Sequence, residues 1–379
     1  MRVLQVTKLY TPWSGGVEKV AQDIAEGLNG RVTMSVLTCQ PRGRGNREFV
    51  NGVRVDRAGS LGICLSMPIS LSFPYLLKKL AKNQDVLHFH TPFPLGIISY
   101  LLIRPKGRLV VWWHSDIVRQ KNILRLYRPF LLRFLERADK IIVATSQHIE
   151  SSNFLSPFKN KCQIIPFGID TKKFQITDEI ECQIGRIRRE HGNRIILFVG
   201  RLVYYKGVEY LIRAMKKIHG KLLLIGQGPL ESKLISVIAE LRLEDKVVFL
   251  GKLGNQEMLS YYHSCDVFVL PSIAKSEAFG IVQLEAMACG KAVVNTSLAT
   301  GVPQVSIDGK TGITVPPKDA DSLAKAINTL LTNKKLKEEY GHNALMRVKN
   351  HFTMEKMTEM VFQIYKHVLE YPGKVGSRR

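Results

Sequence analysis

Short runs of β-branched and apolar residues alternate with helical patterns along the whole 379-residue chain. The N-terminal half predicts strands at 2–6, 32–38, 85–89, 109–113 and 141–145, and helices at 17–28, 74–82 and 119–137. Such alternation is typical of a doubly wound, mostly parallel α/β architecture. At roughly 100–200 residues per domain, the length predicts two or three domains of this kind.

A second series of strands begins at 195–199, after a charged stretch without a clear strand. Further strands are predicted near 221–225, 247–250, 267–270 and 292–295. We therefore expect two Rossmann-like domains that face each other across a cleft. The predicted segments are an N-terminal domain at 1–170, a linker at 171–192, a C-terminal domain at 193–352, and a C-terminal helix with a basic tail at 353–379.

The C-terminal segment 353–371 has apolar residues near the 3.6-residue period of a helix. These residues are Met357, Met360, Val361, Ile364, Tyr365 and Val368. An amphipathic helix of this kind needs a partner surface, and we expect it to pack back on the N-terminal domain.

The charge is unusual for an otherwise ordinary globular composition. The chain has 55 basic and 32 acidic residues, a net charge of +23, and residues 1–170 contribute 24 basic and 11 acidic residues, net +13. A surplus of this size favours phosphate-rich partners: nucleic acid, nucleoside diphosphates or anionic lipid. The hydrophobic fraction of 45% argues against intrinsic disorder.

The sequence also predicts a cytosolic location. The six cysteines form no C-x-x-C pair, so we expect reduced, mostly buried thiols. A secretory signal is not expected, because the first residues read as a strand. The uncharged run 58–77 is interrupted by glycines and prolines, so it is expected to be a loop with helical pieces rather than a membrane span.

The richest stretch for chemistry is 271–290, which connects a predicted strand to a helix that begins near 280. The N–H groups at the start of this helix would form an anion site, aided by the helix dipole. Those N–H groups belong to Phe279, Gly280 and Ile281. Glu277 and Glu285 could contact different parts of one ligand there. The alternative is that one glutamate is a solvated helix start and the other a surface residue.

A second stretch, 199–207, connects another strand to the predicted helix 207–218. Arg201 and Lys206 flank this turn and could neutralise two phosphates. Gly200 and Gly207 would let the backbone come close. The alternative is a solvated basic loop.

These stretches resemble family 4 of the retaining glycosyltransferases, which have the GT-B fold. The E-x7-E motif of that family corresponds to Glu277 and Glu285, within S-E-A-F-G-I-V-x-L-E-A-M-A-C-G-K. Other motifs match in order across nearly the whole chain: Ser14-Gly15-Gly16-Val17-Glu18, Trp113-His114-Ser115-Asp116, 165–170, 200–207 and 308–317. The pattern is most similar to bacterial surface-polysaccharide mannosyltransferases.

The resemblance implies a role for each matching residue. Arg201 and Lys206 would bind the donor diphosphate, and Glu285 would hold the ribose. Glu277 would hold hydroxyls of the donor sugar, together with the backbone of Phe279, Gly280 and Ile281. The remaining expected contacts lie elsewhere: Gly15 and Gly16 beside the diphosphate, His114 on the donor sugar, and Leu253 near the base. We expect the catalytic group to comprise Glu277, His114, Arg201 and Lys206.

Structural alternatives exist for two of these positions. A histidine at the end of a strand is often a hydrogen-bonded structural residue, so His114 could be one. The pair Gly15 and Gly16 could be a bare turn, because glycine supplies unusual backbone angles.

Two carboxylates could also indicate a glycosidase, in which they flank the scissile bond. Glu285 lies too deep in its helix for that, and the resemblance makes both glutamates binding groups. It implies net retention at the anomeric carbon, for which we expect a front-face path with a donor phosphate as base.

We expect no cofactor and no metal. Asp319-Ala320-Asp321 resembles a metal-binding D-x-D motif, but it opens a predicted helix at 319–331 and is better explained as an N-cap.

The segment 117–137 mixes six basic residues with large apolar side chains around Pro129. A basic amphipathic helix suits an anionic lipid surface. The alternative, a core helix with a basic rim, is equally open. Lipid-linked acceptors would explain the basic surface, and the run 58–77 could help to hold the acceptor.

We therefore expect a hexosyltransferase that acts from a nucleotide sugar, with GDP-mannose as the leading donor, on a lipid-linked saccharide in polysaccharide or O-antigen (lipopolysaccharide) biosynthesis. The expected location is the inner face of the plasma membrane. One alternative is a nucleotide-sugar epimerase on a similar fold. A basic nucleic-acid-binding protein is a weaker alternative, because the sequence offers no recognition module.

Overall fold

A computed structural model describes residues 1–13, 15–65, 67–116 and 121–371, with the backbone alone at 121–124. Several predicted features lie partly outside these residues: Ser14 of the first glycine motif, 117–120 of the basic segment, Ser66 of the uncharged run, and the basic tail from 372. The contacts divide the chain into two compact units. Unit 1 is Met1–Phe167 with the segment from Met354, and unit 2 is Gly168–Thr353.

Unit 1 is built on one large sheet. Its strands are β1 (Arg2–Val6), β2 (Thr33–Cys39), β3 (Asn46–Val50), β4 (Val53–Ala58), β5 (Ile63–Cys64), β6 (Met67–Pro68), β7 (Val86–Thr91), β8 (Arg108–Trp113), β9 (Lys140–Val143) and β10 (Cys162–Ile164). Across the described residues the sheet order is β10-β9-β8-β7-β1-β2-β4-β3, and β5 pairs with β6 separately. All neighbours in the large sheet are parallel except β3 and β4.

Helices cover this sheet and complete its core. They are α1 (Gly16–Gly27), α2 (Phe73–Leu80), α3 (Pro94–Ile103), α4 (Lys121–Arg137), α5 (Ser146–Ser151) and, from the end of the chain, α14 (Met354–Glu370). Aromatic residues on α2, α3, α4 and β7 form much of the core on one face. Burial of such apolar surface is the main stabilising contribution, about 25 cal/mol per Å².

Unit 2 repeats the architecture with a smaller sheet. Its strands are β11 (Ile195–Val199), β12 (Lys221–Ile225), β13 (Val247–Gly251), β14 (Val267–Leu270), β15 (Ala292–Thr296) and β16 (Gly312–Val315), in the parallel order β13-β12-β11-β14-β15-β16. Its helices are α6 (Asp178–His191), α7 (Val208–Ala214), α8 (Glu231–Leu241), α9 (Asn255–Ser264), α10 (Ile281–Ala288), α11 (Val302–Val305), α12 (Ala320–Thr332) and α13 (Lys334–His351).

The structure confirms the parallel α/β prediction but adds elements that the pattern did not show. The predicted linker 171–192 contains a helix, because 178–191 form α6, which packs on α9 in unit 2. Thr177 caps this helix through its hydroxyl, and a buried stripe that includes Ile180 and Ile187 faces α9. Most of the charged residues that obscure the helical pattern are exposed, and Arg188 is half-buried beside Asp266.

The C-terminal helix α14 packs on unit 1, as predicted. Val361, Ile364 and Tyr365 are buried, and α14 contacts α1. The Tyr365 hydroxyl lies 2.6 Å from Nδ1 of His88, and Arg31 forms an ion pair of 2.6 Å with Glu359. The partner surface that the amphipathic pattern required is therefore the first unit.

All six cysteines are free thiols, as expected, but only two of them are buried. Cys39 and Cys265 are buried, whereas Cys64 and Cys182 are exposed. The prediction of mostly buried thiols is therefore wrong, because two of the six lie on an exposed hairpin and on the solvent side of a helix.

Candidate active site

The loop that follows β11 brings Lys206 into the interior of unit 2. Gly207 has a left-handed backbone, with φ of 65°, and a Cβ there would collide with the Pro271 carbonyl oxygen. Glycine is therefore required for the loop to approach the strand end at Pro271. The close approach leaves Lys206 only 8% exposed.

Glu277 is the partner of this lysine. Nζ of Lys206 lies 2.6 Å from Oε2 of Glu277, and the Ser272 hydroxyl donates to the same oxygen at 3.1 Å. Glu277 is 7% exposed, so the alternative of a solvated glutamate is wrong. A buried carboxylate is tolerated only when it is paired and hydrogen-bonded, as this one is.

Glu285 lies on α10 and is half-buried, so it is not a fully solvated surface residue. Its Oε2 atom accepts a hydrogen bond of 2.6 Å from the hydroxyl of Tyr262 on α9. Burial and the neighbouring carboxylate raise the pKa of Tyr262 well above its usual value, so this hydroxyl stays a donor. No sequence motif marks Tyr262, because it is a tyrosine in an ordinary helix.

The start of α10 presents its backbone N–H groups where the sequence predicted an anion site. Gly280 adopts φ of 75° and precedes the first helical residue, Ile281. The side chain of Phe279 is buried in an edge contact with Phe352, which leaves its backbone to form the turn. The positive end of the helix dipole favours an anion at this point.

Arg201 and Leu253 complete the predicted set in unit 2. Arg201 is exposed, and Leu253 is half-buried between β13 and α9. These residues, with Lys206 and Glu277, follow the carboxyl ends of β11, β13 and β14. In open parallel sheets that edge is where ligands bind.

In unit 1, Gly15 and Gly16 lie at the N-terminal end of α1 and are exposed. Gly15 is the N-cap residue, with an extended backbone, and its carbonyl accepts from the Lys19 N–H at 2.9 Å. A Cβ on Gly15 would collide with the Glu18 carboxylate. The pair is therefore a helix start with open backbone, which suits either the predicted diphosphate contact or a bare turn.

His114 follows the end of β8 and is 5% exposed. Its ring is nearly parallel to Trp112 and Phe167, at centroid distances of 5.7 Å, and its Nε2 lies 2.9 Å from Nδ1 of His90. Burial, together with the nearby histidines, holds the pKa of His114 well below its usual value, so the ring is neutral at pH 7. The hydrogen bond to His90 fits the alternative that His114 is a structural residue. Its position at the end of a strand also suits contact with a ligand.

The motif Asp319-Ala320-Asp321 is a helix start, as expected. The Asp319 carboxylate accepts from the N–H of Ser322 at 2.9 Å, and Asp321 pairs with Lys217 at 2.8 Å. Within the described residues, no group of three histidine, cysteine or acidic side chains could hold a metal ion.

The helix α4 has one buried side and one exposed, basic side. Leu131, Phe134 and Leu135 are buried in the core. The opposite side exposes Leu126 and Phe130, together with the charges of Arg125, Arg128 and Arg133. None of the helices in the described part of the chain combines the length and the apolar composition of a membrane span.

Comparisons with known proteins identify the class that this fold and site define. Residues 14–173 match the family described as "Glycosyltransferase Family 4", and residues 180–347 match "Glycosyl transferases group 1". The chain is 32% identical to O-antigen chain mannosyltransferase C of Escherichia coli, over 98% of this chain and 99% of that protein. It is also 32% identical to D-rhamnosyltransferase WbpZ of Pseudomonas aeruginosa, over 93% and 92%.

Solved structures agree on the fold. Sucrose-phosphate synthase from Thermosynechococcus elongatus has a TM-score of 0.80 at 23% identity, covering 97% of this chain and 99% of that one. Anabaena HepE, solved in complex with UDP, has a TM-score of 0.77 at 21% identity, covering 97% and 100%. The family matches and the two relatives show that the protein is a glycosyltransferase, and the solved structures show that it has the GT-B fold. More narrowly, the chain belongs to glycosyltransferase family 4.

Proposed function

We propose that this glycosyltransferase moves a hexose from a nucleotide sugar to a lipid-linked saccharide in polysaccharide or O-antigen biosynthesis. The observation that carries the proposal is the buried Lys206–Glu277 pair beside the start of α10. A cation and an array of N–H groups at the carboxyl edge of a parallel sheet suit a diphosphate. The Escherichia coli relative is named as an O-antigen mannosyltransferase, which supports GDP-mannose as the leading donor.

In this proposal, unit 2 holds the donor. Arg201 and Lys206 neutralise the charge that develops on the leaving nucleoside diphosphate, the electrostatic contribution that acyl and phosphoryl transfer enzymes also use. Glu285 accepts from the ribose hydroxyls, and Glu277 accepts from the sugar. Leu253 contacts the base. From unit 1, Gly15 and Gly16 meet the diphosphate, and His114 meets the sugar.

Transfer proceeds with net retention at the anomeric carbon. The bond from that carbon to the donor phosphate oxygen breaks, and a bond to the acceptor hydroxyl oxygen forms on the same face. The acceptor proton moves to the departing phosphate. No protein nucleophile takes part, so a trapped glycosyl adduct on Glu277 would contradict this path. Because Arg201 and Lys206 neutralise the diphosphate, transfer needs no divalent metal, and a chelator leaves the rate unchanged.

In this proposal, the part of the enzyme that binds the acceptor lies against the inner face of the plasma membrane. Exposed apolar side chains on unit 1, such as Leu71 at 84% and Leu126 at 78%, accompany its basic residues. Such a combination binds anionic headgroups while apolar side chains enter the interface. A relative from Campylobacter jejuni is named for a diphospho-undecaprenol substrate, which supports a lipid-linked acceptor.

Flotation with vesicles tests the membrane proposal. The wild type is expected to float with vesicles that contain anionic lipid at low salt and not with neutral vesicles. The double substitution Arg125→Glu and Arg128→Glu should abolish flotation. A matched pair on unit 2, Lys334→Glu and Lys335→Glu, changes the net charge equally and should not. Equal loss of flotation in both double variants would indicate that net charge alone attracts the protein to the vesicles.

A donor panel tests the transfer itself. Release of nucleoside diphosphate should occur with one donor, require the lipid-linked acceptor, and fall at least about 100-fold in Lys206→Ala. Conversion of a donor to its isomer without acceptor would instead indicate an epimerase. Failure with every donor, combined with salt-sensitive binding to DNA or RNA, would indicate a nucleic-acid-binding protein.

A further inference from the structure

A row of buried histidines crosses the sheet of unit 1 and ends at His114. His88 and His90 lie on β7, with both side chains on one face because they are two residues apart. In the parallel register, His90 is the partner of Trp112 on β8, and His114 follows two residues later on the same face. His88 and His90 are buried completely or almost so.

The contact between His90 and His114 has the geometry of a directed hydrogen bond. Nδ1 of His90 and Nε2 of His114 are 2.9 Å apart. The ring centroids are 5.2 Å apart, with an angle of 22° between the planes. The two rings therefore meet edge to edge in nearly one plane, so that a ring N–H points along the line between the nitrogens.

Both rings are neutral, so the bond fixes a tautomer. Burial lowers the pKa of His90 to about 3 and that of His114 well below its usual value. Each neutral imidazole carries one N–H and one bare nitrogen, so one ring donates and the other accepts. The direction of this bond decides which nitrogen of His114 carries the proton.

The surroundings of His90 favour one direction. Among the residues that the structure describes, Nε2 of His90 has no hydrogen-bond partner. If His114 donated, His90 would carry its proton on this buried, unpartnered Nε2. An unpaired buried N–H is rarer than an unpaired buried acceptor. His90 therefore donates from Nδ1, and His114 accepts at Nε2.

We propose that His90 is a positioning residue for the transfer reaction, which fixes His114 as the Nδ1–H tautomer and orients its ring as a hydrogen-bond donor toward the sugar. The proposal rests on the proposed function, which assigns His114 to the donor sugar. The Trp112 and Phe167 rings restrain the His114 plane, and the bond to His90 sets its rotation within that plane. His114 is thereby oriented before the donor arrives.

Nitrogen NMR of histidine side chains tests the tautomer without any activity assay. In uniformly labelled wild type, the signals lost in His114→Gln are those of His114, and they should show a proton on Nδ1 and a bare Nε2. In His90→Leu, the His114 signals should shift toward a mixture with Nε2–H. A protonated Nε2 in the wild type, or an unchanged pattern in His90→Leu, would overturn the proposal. This result is independent of whether the protein transfers sugar.

Transfer kinetics distinguish a hydrogen-bonding role of His90 from a role in core packing alone. The asparagine amide can occupy the place of Nδ1 and donate, so His90→Asn should keep most of the transfer rate. His90→Leu should lower kcat by about tenfold, the lower end of the effect of removing outer partners of metal-bound imidazoles. Affinity for free nucleoside diphosphate should stay unchanged in both variants, because His114 is assigned to the sugar and not to the diphosphate.

If His90 only fills space, leucine should be tolerated better than asparagine, the reverse of the expected order. His148→Leu is the matched control. This histidine is also buried in unit 1, and neither of its ring nitrogens has a hydrogen-bond partner among the described residues. We expect its substitution to leave the His114 tautomer and kcat unchanged. A tautomer shift in this control as large as in His90→Leu would contradict a specific role for His90.

Discussion

Nζ of Lys206 and Oε2 of Glu277 are 2.6 Å apart, and each side chain is about nine-tenths buried. The two residues come from different loops, one after β11 and the other after β14. The pair therefore joins the two strand ends that flank the proposed diphosphate site. Because each charge compensates the other in the interior, loss of either leaves an unpaired buried charge.

The first prediction concerns this coupling. Lys206→Met and Glu277→Gln should each lower the free energy of unfolding of the protein, by up to about 3 kcal/mol. The double variant should lose less than the sum, with a coupling energy of about 0.5–3 kcal/mol, because no lone charge remains. Urea denaturation of the four proteins gives these values. Strict additivity would show that the two charges do not interact.

Tyr262 gives the second prediction, because its hydroxyl is the donor to Glu285. Tyr262→Phe should raise KM for the nucleotide sugar about tenfold, as expected for loss of a hydrogen bond to a charged group. The ring still fills its buried space, so the overall stability should change little. Tyr261→Phe, one residue away on α9, serves as the control. Equal kinetics in the two variants would exclude a positioning role for Tyr262.

The left-handed backbone of Gly207 leads to the third prediction. Gly207→Ala should lower both stability and donor affinity, because its Cβ would collide with the Pro271 carbonyl and displace Lys206. Gly309→Ala isolates the backbone effect, since Gly309 has φ of 67°, close to that of Gly207, and nothing within 4 Å of a Cβ. The control should cost about 1 kcal/mol. A similar loss at both positions, measured by thermal unfolding, would mean that the collision is relieved without cost.

The fourth prediction concerns the stability of the protein at acidic pH. Burial lowers the pKa of His90 to about 3 and that of His148 to about 4, from an ordinary value near 6.5. Below about pH 6.5 the unfolded chain binds protons that the folded chain excludes, so stability falls as the pH falls toward these values. Each such histidine contributes about 1 kcal/mol per pH unit in that window.

The variant His148→Leu tests the direction and the size of this pH dependence. The variant should show a pH dependence weaker than that of the wild type by about one proton between pH 6.5 and pH 4. Calorimetric unfolding across this range measures the slope. An identical slope in the two proteins would show that His148 binds a proton to the same extent in the folded and the unfolded chain.

Much of the fold and of the candidate site is predictable because the relevant signals are local. The buried strands Ile195–Val199 and Val267–Leu270 are continuous apolar runs, and the E-x7-E spacing marks Glu277 and Glu285 directly. The helix Asp178–His191 was missed because its apolar stripe is narrow among charges. The helix Pro94–Ile103 was missed because it is apolar on nearly every side and shows no period.

The partners of the site residues could not be predicted. Ser272, Tyr262 and His90 contact Glu277, Glu285 and His114 across 5, 23 and 24 residues of sequence. Such contacts depend on strand register and helix packing, which a local pattern does not encode. The motifs therefore identified the groups proposed to meet the donor, and only the structure identified the side chains that hold them.

The most direct test of the proposed function is the mass of the acceptor. Purified protein is incubated with GDP-mannose and a lipid-linked saccharide, and the lipid is analysed by mass spectrometry. We predict that the acceptor gains hexose units with the wild type and is unchanged with Lys206→Ala. An unchanged acceptor with every nucleotide sugar supplied, or full transfer by Lys206→Ala, would contradict the proposed role of this site.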